Sequence, residues 1–166
     1  LSTLKQSIIG SECAQKSSDR EILWRARSSM SDACSQFLGS KISEDIAIPL
    51  SKMKDFSIWF KAQEQSPDLV CGLFGHAGDG NLHVQIMYSD EKYRRLAQDL
   101  RHQVLLKVID LGGTLSAEHG IGLQKKSYLP LEQSPALIDL QKRIKQAFDP
   151  NHLLNPGKIF DSVTKI

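Results

Sequence analysis

The sequence has no apolar run approaching the roughly 20 residues that a membrane-crossing helix needs, and no signal-peptide pattern is visible. An integral membrane protein is therefore not expected. Aromatic residues are scarce, at 7%, and no basic run occurs, so there is no stacking platform for single-stranded nucleic acid. A net charge of +2, with acids and bases interspersed, offers little to a nucleic acid or an anionic membrane. The three cysteines, Cys13, Cys34 and Cys71, are an odd count without CxxC spacing. They predict buried thiols rather than a disulfide or metal framework, in a reducing compartment such as the cytoplasm. No GxGxxG segment is present, which argues against a doubly wound nucleotide fold. The chain opens on Leu1-Ser2-Thr3 rather than methionine, so a piece of a longer protein is expected.

What is present is 166 residues of ordinary globular composition, enough for one domain over 1–166. Helical spacing of Leu23, Ala26, Met30, Ala33 and Phe37 predicts a helix capped by Asp19 and ended by Gly39. Glu44 to Pro49 reads as a short strand closed by proline. Ser51 is placed to cap a second helix that buries Met53, Phe56 and Phe60. Leu69 to Phe74 and Leu82 to Tyr88 read as strands. A long helix is predicted from Asp90 to Asp110, with Tyr93, Leu96, Leu100, Val104, Val108 and Leu111 as its stripe and Gly112-Gly113 as its end. Ser134-Pro135 is an N-cap and N1 pair for a last helix showing Leu137, Leu140, Ile144 and Phe148. The order implies an α+β domain, an antiparallel sheet packed with helices on one face, of ferredoxin-like type.

Two clusters carry chemistry. In His76-Ala77-Gly78-Asp79-Gly80-Asn81-Leu82-His83, Asp79-Gly80 is the signal of a two-residue type I′ hairpin. That turn would pair Gly78 with Asn81, Ala77 with Leu82 and His76 with His83. Histidines directly opposite each other have Cβ atoms about 4.5–5.5 Å apart, close enough to share one metal ion. A longer loop shifts the pairing but keeps the two histidines close. The period of two puts Gln85 on the face of His83. The alternative is a pair of ordinary half-buried histidines beside a turn; their symmetry about Asp79-Gly80 favours a site.

The second cluster is Gly112-Gly113-Thr114-Leu115-Ser116-Ala117-Glu118-His119-Gly120-Ile121-Gly122. Glu118 is placed to complete a two-histidine, one-carboxylate ligand set, which zinc, manganese and iron all suit. His119 then stays free to move a proton, as an imidazole can near neutral pH.

Three blocks, His76 to His83, Ala117 to Gly122 and Asp149-Pro150-Asn151-His152-Leu153-Leu154-Asn155-Pro156-Gly157-Lys158, resemble the signatures of the FAD-linked oxidase carboxyl-terminal (cap) domain. The branch resembled is that of the glycolate oxidase FAD subunit and D-lactate dehydrogenase, among flavoproteins of the vanillyl-alcohol-oxidase type. Leu23 to Arg27 and Glu44 to Pro49 also look like family blocks, so the likeness runs from about Asp19 to Phe160. It implies an enzyme that oxidises a D-2-hydroxy acid such as D-lactate or glycolate to the 2-oxo acid, with electrons passed to FAD. By motif, His76, His83 and Glu118 would hold a divalent metal and His119 would take the hydroxyl proton. Arg27 would pair with the substrate carboxylate, with Gln85 on the substrate side and Asn155 approaching the flavin ring.

The family's amino-terminal FAD-binding domain is absent from this sequence, so the chain alone is expected to hold little flavin and to be inactive. Ser43, two positions before Asp45, stands where some dicarboxylate-using relatives carry a cation, which favours a small monocarboxylate. The resemblance further implies an electron-acceptor protein or quinone, through which the enzyme would lie peripheral to a membrane. A metal-dependent hydrolase would use the same ligands to activate water, but no oxyanion donors or nucleophile accompany them. A non-catalytic cap or assembly module is the reading outside enzymology.

Overall fold

The computed structural model describes residues 13–63 and 67–161. Among these, three strands, β1 (Ser40–Ala47), β2 (Leu69–His76) and β3 (Asn81–Tyr88), form one antiparallel sheet in the order β1-β3-β2. Six α-helices accompany it: α1 (Ser17–Ser28), α2 (Met30–Phe37), α3 (Met53–Lys61), α4 (Arg94–Asp110), α5 (Leu129–Glu132) and α6 (Pro135–Phe148). The fold is mixed α and β around an antiparallel sheet, as the pattern of runs implies.

Strand alternation divides the sheet into two unlike faces. Ile46, Leu69, Cys71, Leu82, Val84, Ile86 and Tyr88 point to one side, where they are buried with Phe56 and Phe60 of α3 and Ala97, Leu100, Val104, Leu105 and Val108 of α4. The opposite side carries Ser43, Asp45, Phe74, His76, His83 and Gln85, in register across the three strands. Cys34 of α2 approaches this second side near Gly72, so α2 lies over one end of it and leaves the other end open.

Several boundaries differ from expectation. The first helix begins at Ser17 with Lys16 at its cap position, and Asp19 lies within its first turn. It also divides at Ser29. The hydroxyls of Ser28 and Ser29 each bond back to carbonyls one turn earlier, Trp24 and Arg25, and such back-bonding bends helices. Ser51 caps nothing: after Pro49 the chain makes a 3-10 turn over Leu50–Lys52 before α3 starts at Met53. The first turn of the long helix is likewise 3-10, over Glu91–Tyr93, with the Asp90 carboxylate accepting from the Lys92 amide at 2.9 Å. Ser134 caps α6 as expected, its hydroxyl accepting from the Leu137 amide. Of the cysteines, Cys71 is buried, Cys34 half-buried and Cys13 exposed.

The hairpin is the consequential correction. His76 pairs with Asn81 and Phe74 with His83, which leaves a four-residue loop, Ala77 to Gly80, rather than a two-residue turn. A type I′ turn needs positive φ at both central residues, and here only Gly80 has it, at 79°. Two contacts select the longer loop. The Asp79 carboxylate accepts from the Asn81 amide at 3.0 Å, and the Ile48 amide donates to the Gly80 carbonyl at 3.0 Å. The approach is so close that a Cβ on Gly80 would collide with the Ile48 carbonyl. The two histidines remain on one face as diagonal rather than direct neighbours.

The apolar stripe of α6 has the expected spacing but is not buried within this chain. Leu137, Leu140, Ile144 and Phe148 are 42%, 46%, 51% and 83% exposed.

Candidate active site

On the open side of the sheet, the centroids of His76 and His83 lie 5.7 Å apart with the rings near perpendicular. The loop after α4 joins them because it is tied down at three points. Thr114 exchanges two backbone hydrogen bonds with Ala47 at the end of β1. The Leu115 side chain is wholly buried in the core. Glu132 of α5 accepts from the Thr114 hydroxyl and the Leu115 amide, at 2.7 and 3.0 Å.

Beyond Leu115 the chain wraps around Asp45. One carboxylate oxygen, Oδ2, accepts from the Ser116 hydroxyl at 3.1 Å and from the amides of Ala117, Glu118 and His119 at 2.9, 3.0 and 3.0 Å. That wrap delivers Glu118 and His119 to the histidines. Glu118 Oε1 lies 3.3 Å from His83 Nε2 and 3.8 Å from His119 Nε2, and the His119 ring stacks on His83 at 5.7 Å. Phe74 packs against the His83 ring at 5.4 Å. Arg27 of α1 reaches in from the rim, its Nη2 donating to His76 Nε2 at 3.2 Å. Together these residues line a cavity of about 500 Å³ with Ser31, Ser43 and Gln85. The Ser43 hydroxyl donates to Gln85 Oε1 at 2.7 Å.

Six of the seven residues singled out in the sequence, Arg27, His76, His83, Gln85, Glu118 and His119, thus line one cavity. Asn155 is not among its lining residues. It is exposed in the carboxyl-terminal segment, at a positive φ of 45°, with its carbonyl accepting from the Lys158 amide. Asp45 and Phe74 belong to the site and were not singled out. For Asp45 the alternation of β1 held a signal: an acid beside Ile46 and Ile48 lies on the face opposite them.

Among the described residues, donor atoms able to hold a cation fall in two overlapping trios, His76, His83 and Glu118, and Asp45, His83 and His119, each within 4.8 Å of one another. The first combines two imidazoles with a half-exposed carboxylate, a nitrogen and oxygen set suited to a catalytic divalent ion. In the second, Asp45 is 2% exposed and one of its oxygens is already saturated by four donors.

Electrostatics favour a neutral imidazole at the shared position. Burial pushes His83 below its usual value and the nearby His119 and His76 add to this, against an upward pull from Glu118 and Asp45. Burial alone would raise the Asp45 carboxyl, but hydrogen bonds from the His119 and Glu118 amides and the Ser116 hydroxyl, with a smaller electrostatic contribution from the nearby His119 ring, hold it below the usual carboxylate range.

The family model of FAD linked oxidases, C-terminal domain, matches residues 2–159. A D-2-hydroxyglutarate dehydrogenase of Stutzerimonas stutzeri is 37% identical over 154 residues, 89% of this chain and 32% of that protein. A mitochondrial D-lactate dehydrogenase (cytochrome) of Arabidopsis thaliana is 33% identical over 150 residues, 88% of this chain and 26% of that protein. The glycolate oxidase subunit GlcD of Bacillus subtilis is 34% identical over 160 residues, 94% of this chain and 34% of that protein. The chain therefore spans between a quarter and about a third of the length of these relatives. With the match running over nearly its whole length, the chain belongs to the family of FAD-linked oxidase C-terminal domains.

Proposed function

We propose that this chain supplies the substrate side of an FAD-dependent dehydrogenase that oxidises D-lactate or glycolate to the 2-oxo acid. The observation that carries this reading is the convergence of two histidines, a carboxylate, a third histidine and an arginine in one cavity. His76, His83 and Glu118 would hold a divalent ion, which when bound supplies Lewis-acid polarisation of the substrate's hydroxyl and carboxylate oxygens. FAD, when bound, supplies the acceptor for the hydride leaving C2, and we assign Asn155 to the flavin side.

The remaining work falls to side chains of this chain. Arg27 exchanges its contact with His76 for the substrate carboxylate, which its planar fork matches. His119 takes the hydroxyl proton on a ring nitrogen. Its side chain is 66% exposed, so the proton can pass on to solvent. Phe74 walls one side of the His83 ring, and Gln85, held by Ser43, presents its amide to the cavity. Arg27 is the one guanidinium or ammonium among the described residues lining this cavity, and Ser43 supplies no charge, so one carboxylate is matched and a second is not. A protein or quinone acceptor reoxidises the flavin.

Anaerobic titration of the flavin-containing full-length protein tests this. D-lactate or glycolate should bleach the flavin absorbance faster than D-2-hydroxyglutarate does. Failure of every 2-hydroxy acid to reduce the flavin refutes the activity, and preference for the dicarboxylate refutes the substrate class.

A further inference from the structure

Asp45 is a buried acid in the middle of the site, and its two oxygens are treated differently. Oδ2 holds the Ser116 hydroxyl and three successive amides of the loop that carries Glu118 and His119. Oδ1 is buried and has no hydrogen-bond partner among the described residues. A buried carboxylate oxygen left without a donor is costly, and native structures rarely leave one so. Register shows which ring faces it, at a distance longer than a hydrogen bond. Asp45 is directly opposite His83 across the β1-β3 ladder, and Oδ1 is 3.9 Å from His83 Nδ1. The other ring nitrogen of His83, Nε2, is the atom turned towards Glu118 at 3.3 Å.

We propose that Asp45 is the positioning residue of this site, holding the Glu118–His119 loop with one oxygen and fixing the tautomer of His83 with the other. With the proton on Nδ1, facing the Asp45 carboxylate, the Nε2 lone pair points to the place where Glu118 and His76 converge. With the proton on Nε2, that lone pair is lost and the two-histidine set is reduced to one. Histidines that hold metals characteristically give their second ring N–H to such an acceptor. Asp45 touches neither substrate nor cofactor in this role; it acts through His83 and the loop. The inference deepens the metal reading of the cavity, but the tautomer and the loop clamp exist whether or not an ion is bound.

The test uses the full-length protein, stripped of metal and labelled with ¹⁵N-histidine, together with Asp45→Asn and Asp45→Ala. In the unsubstituted protein, long-range ¹⁵N–¹H spectra should show His83 with its proton on Nδ1; a proton on Nε2 overturns the proposal. Asn keeps an oxygen for the loop amides but turns an NH₂ towards His83. Asp45→Asn should therefore move the His83 proton to Nε2 while the amides of Ala117, Glu118 and His119 keep their protection from hydrogen exchange. Zinc affinity, measured by competition with a chromogenic chelator, should fall about 10- to 100-fold, as for other orienting partners of metal-bound histidines. Asp45→Ala should release the three amides to the exchange rates of an open loop. An Asp45→Asn protein with an unchanged tautomer, or with zinc affinity unchanged despite a changed tautomer, contradicts the proposal. Zinc binding that survives His76→Ala would instead refute the ligand set while leaving the tautomer and amide results to decide Asp45.

Discussion

Glu44 and Asp45 are neighbours in β1, 3% and 2% exposed, and they face opposite sides of the same sheet. Glu44 points to the core side, where Arg101 of α4 and Lys125 close on its two oxygens; the Lys125 ammonium, 3.2 Å away, also donates to the Asp45 and Leu115 carbonyls. Charge there meets charge, and the surroundings are packed side chains. Asp45 points to the open side, where its partners are neutral amides and a hydroxyl, and one oxygen faces an imidazole across 3.9 Å. A cation beside Asp45 would neutralise it, whereas amides leave its negative charge available to His83. The core side spends its ionic groups on holding α4 and the Lys125 segment to the sheet, and the site side keeps its groups exchangeable.

The contrast breaks most visibly if the core side tolerates loss. Phe56 is wholly buried and stacks on Phe60 at a centroid distance of 5.9 Å. Phe56→Ala should destabilise the chain by about 3–5 kcal/mol in urea unfolding, through lost transfer energy and the cavity left behind. Phe74→Ala, on the half-exposed site side, should cost much less. Equal costs would mean that the two sides do not differ as described.

A slightly smaller effect is expected at Glu44. Removing its charge by Glu44→Gln leaves Lys125, 6% exposed, and Arg101 without a counter-charge, at a cost of about 3 kcal/mol. Unfolding curves that superimpose on those of the unsubstituted chain would contradict an ionic lock on that side.

The elements came through in the sequence more completely than their boundaries. Hydrophobic period and the capping chemistry of Ser134 are local, so the strands and α6 were legible. The hairpin length was not, because a contact from Ile48, some thirty positions earlier, holds Gly80 in place. Even so, His76 and His83 kept a common face, since an even shift in register preserves it. Asp45 escaped notice because its partners at 116–119 lie more than seventy positions away. The stripe of α6 was legible as a pattern, but a stripe states that a surface is apolar and not what packs on it.

The smallest effect lies outside both faces. Asp149 ends α6, its carboxylate bonded to Lys145 and to the Leu153 and Leu154 amides. The Lys145 bond, against some desolvation and with help from the two amides, lowers its pKa to about 2. Because the folded value lies below the ordinary one of 3.8, its contribution is fully present above about pH 4 and is lost as pH falls towards 2. Asp149→Asn should remove that part of the acid dependence between pH 4 and 2 while leaving the His83 resonances unchanged. An acid profile identical to that of the unsubstituted chain would contradict this role.

The ligand set of the cavity is the central claim, and metal content decides it most directly. Elemental analysis of the full-length protein should find one divalent ion per chain, lost in His76→Ala and retained in His119→Ala, with turnover of D-lactate or glycolate abolished in both. Metal retained in His76→Ala but lost in His119→Ala would place the ion on Asp45, His83 and His119 instead, and would contradict the account.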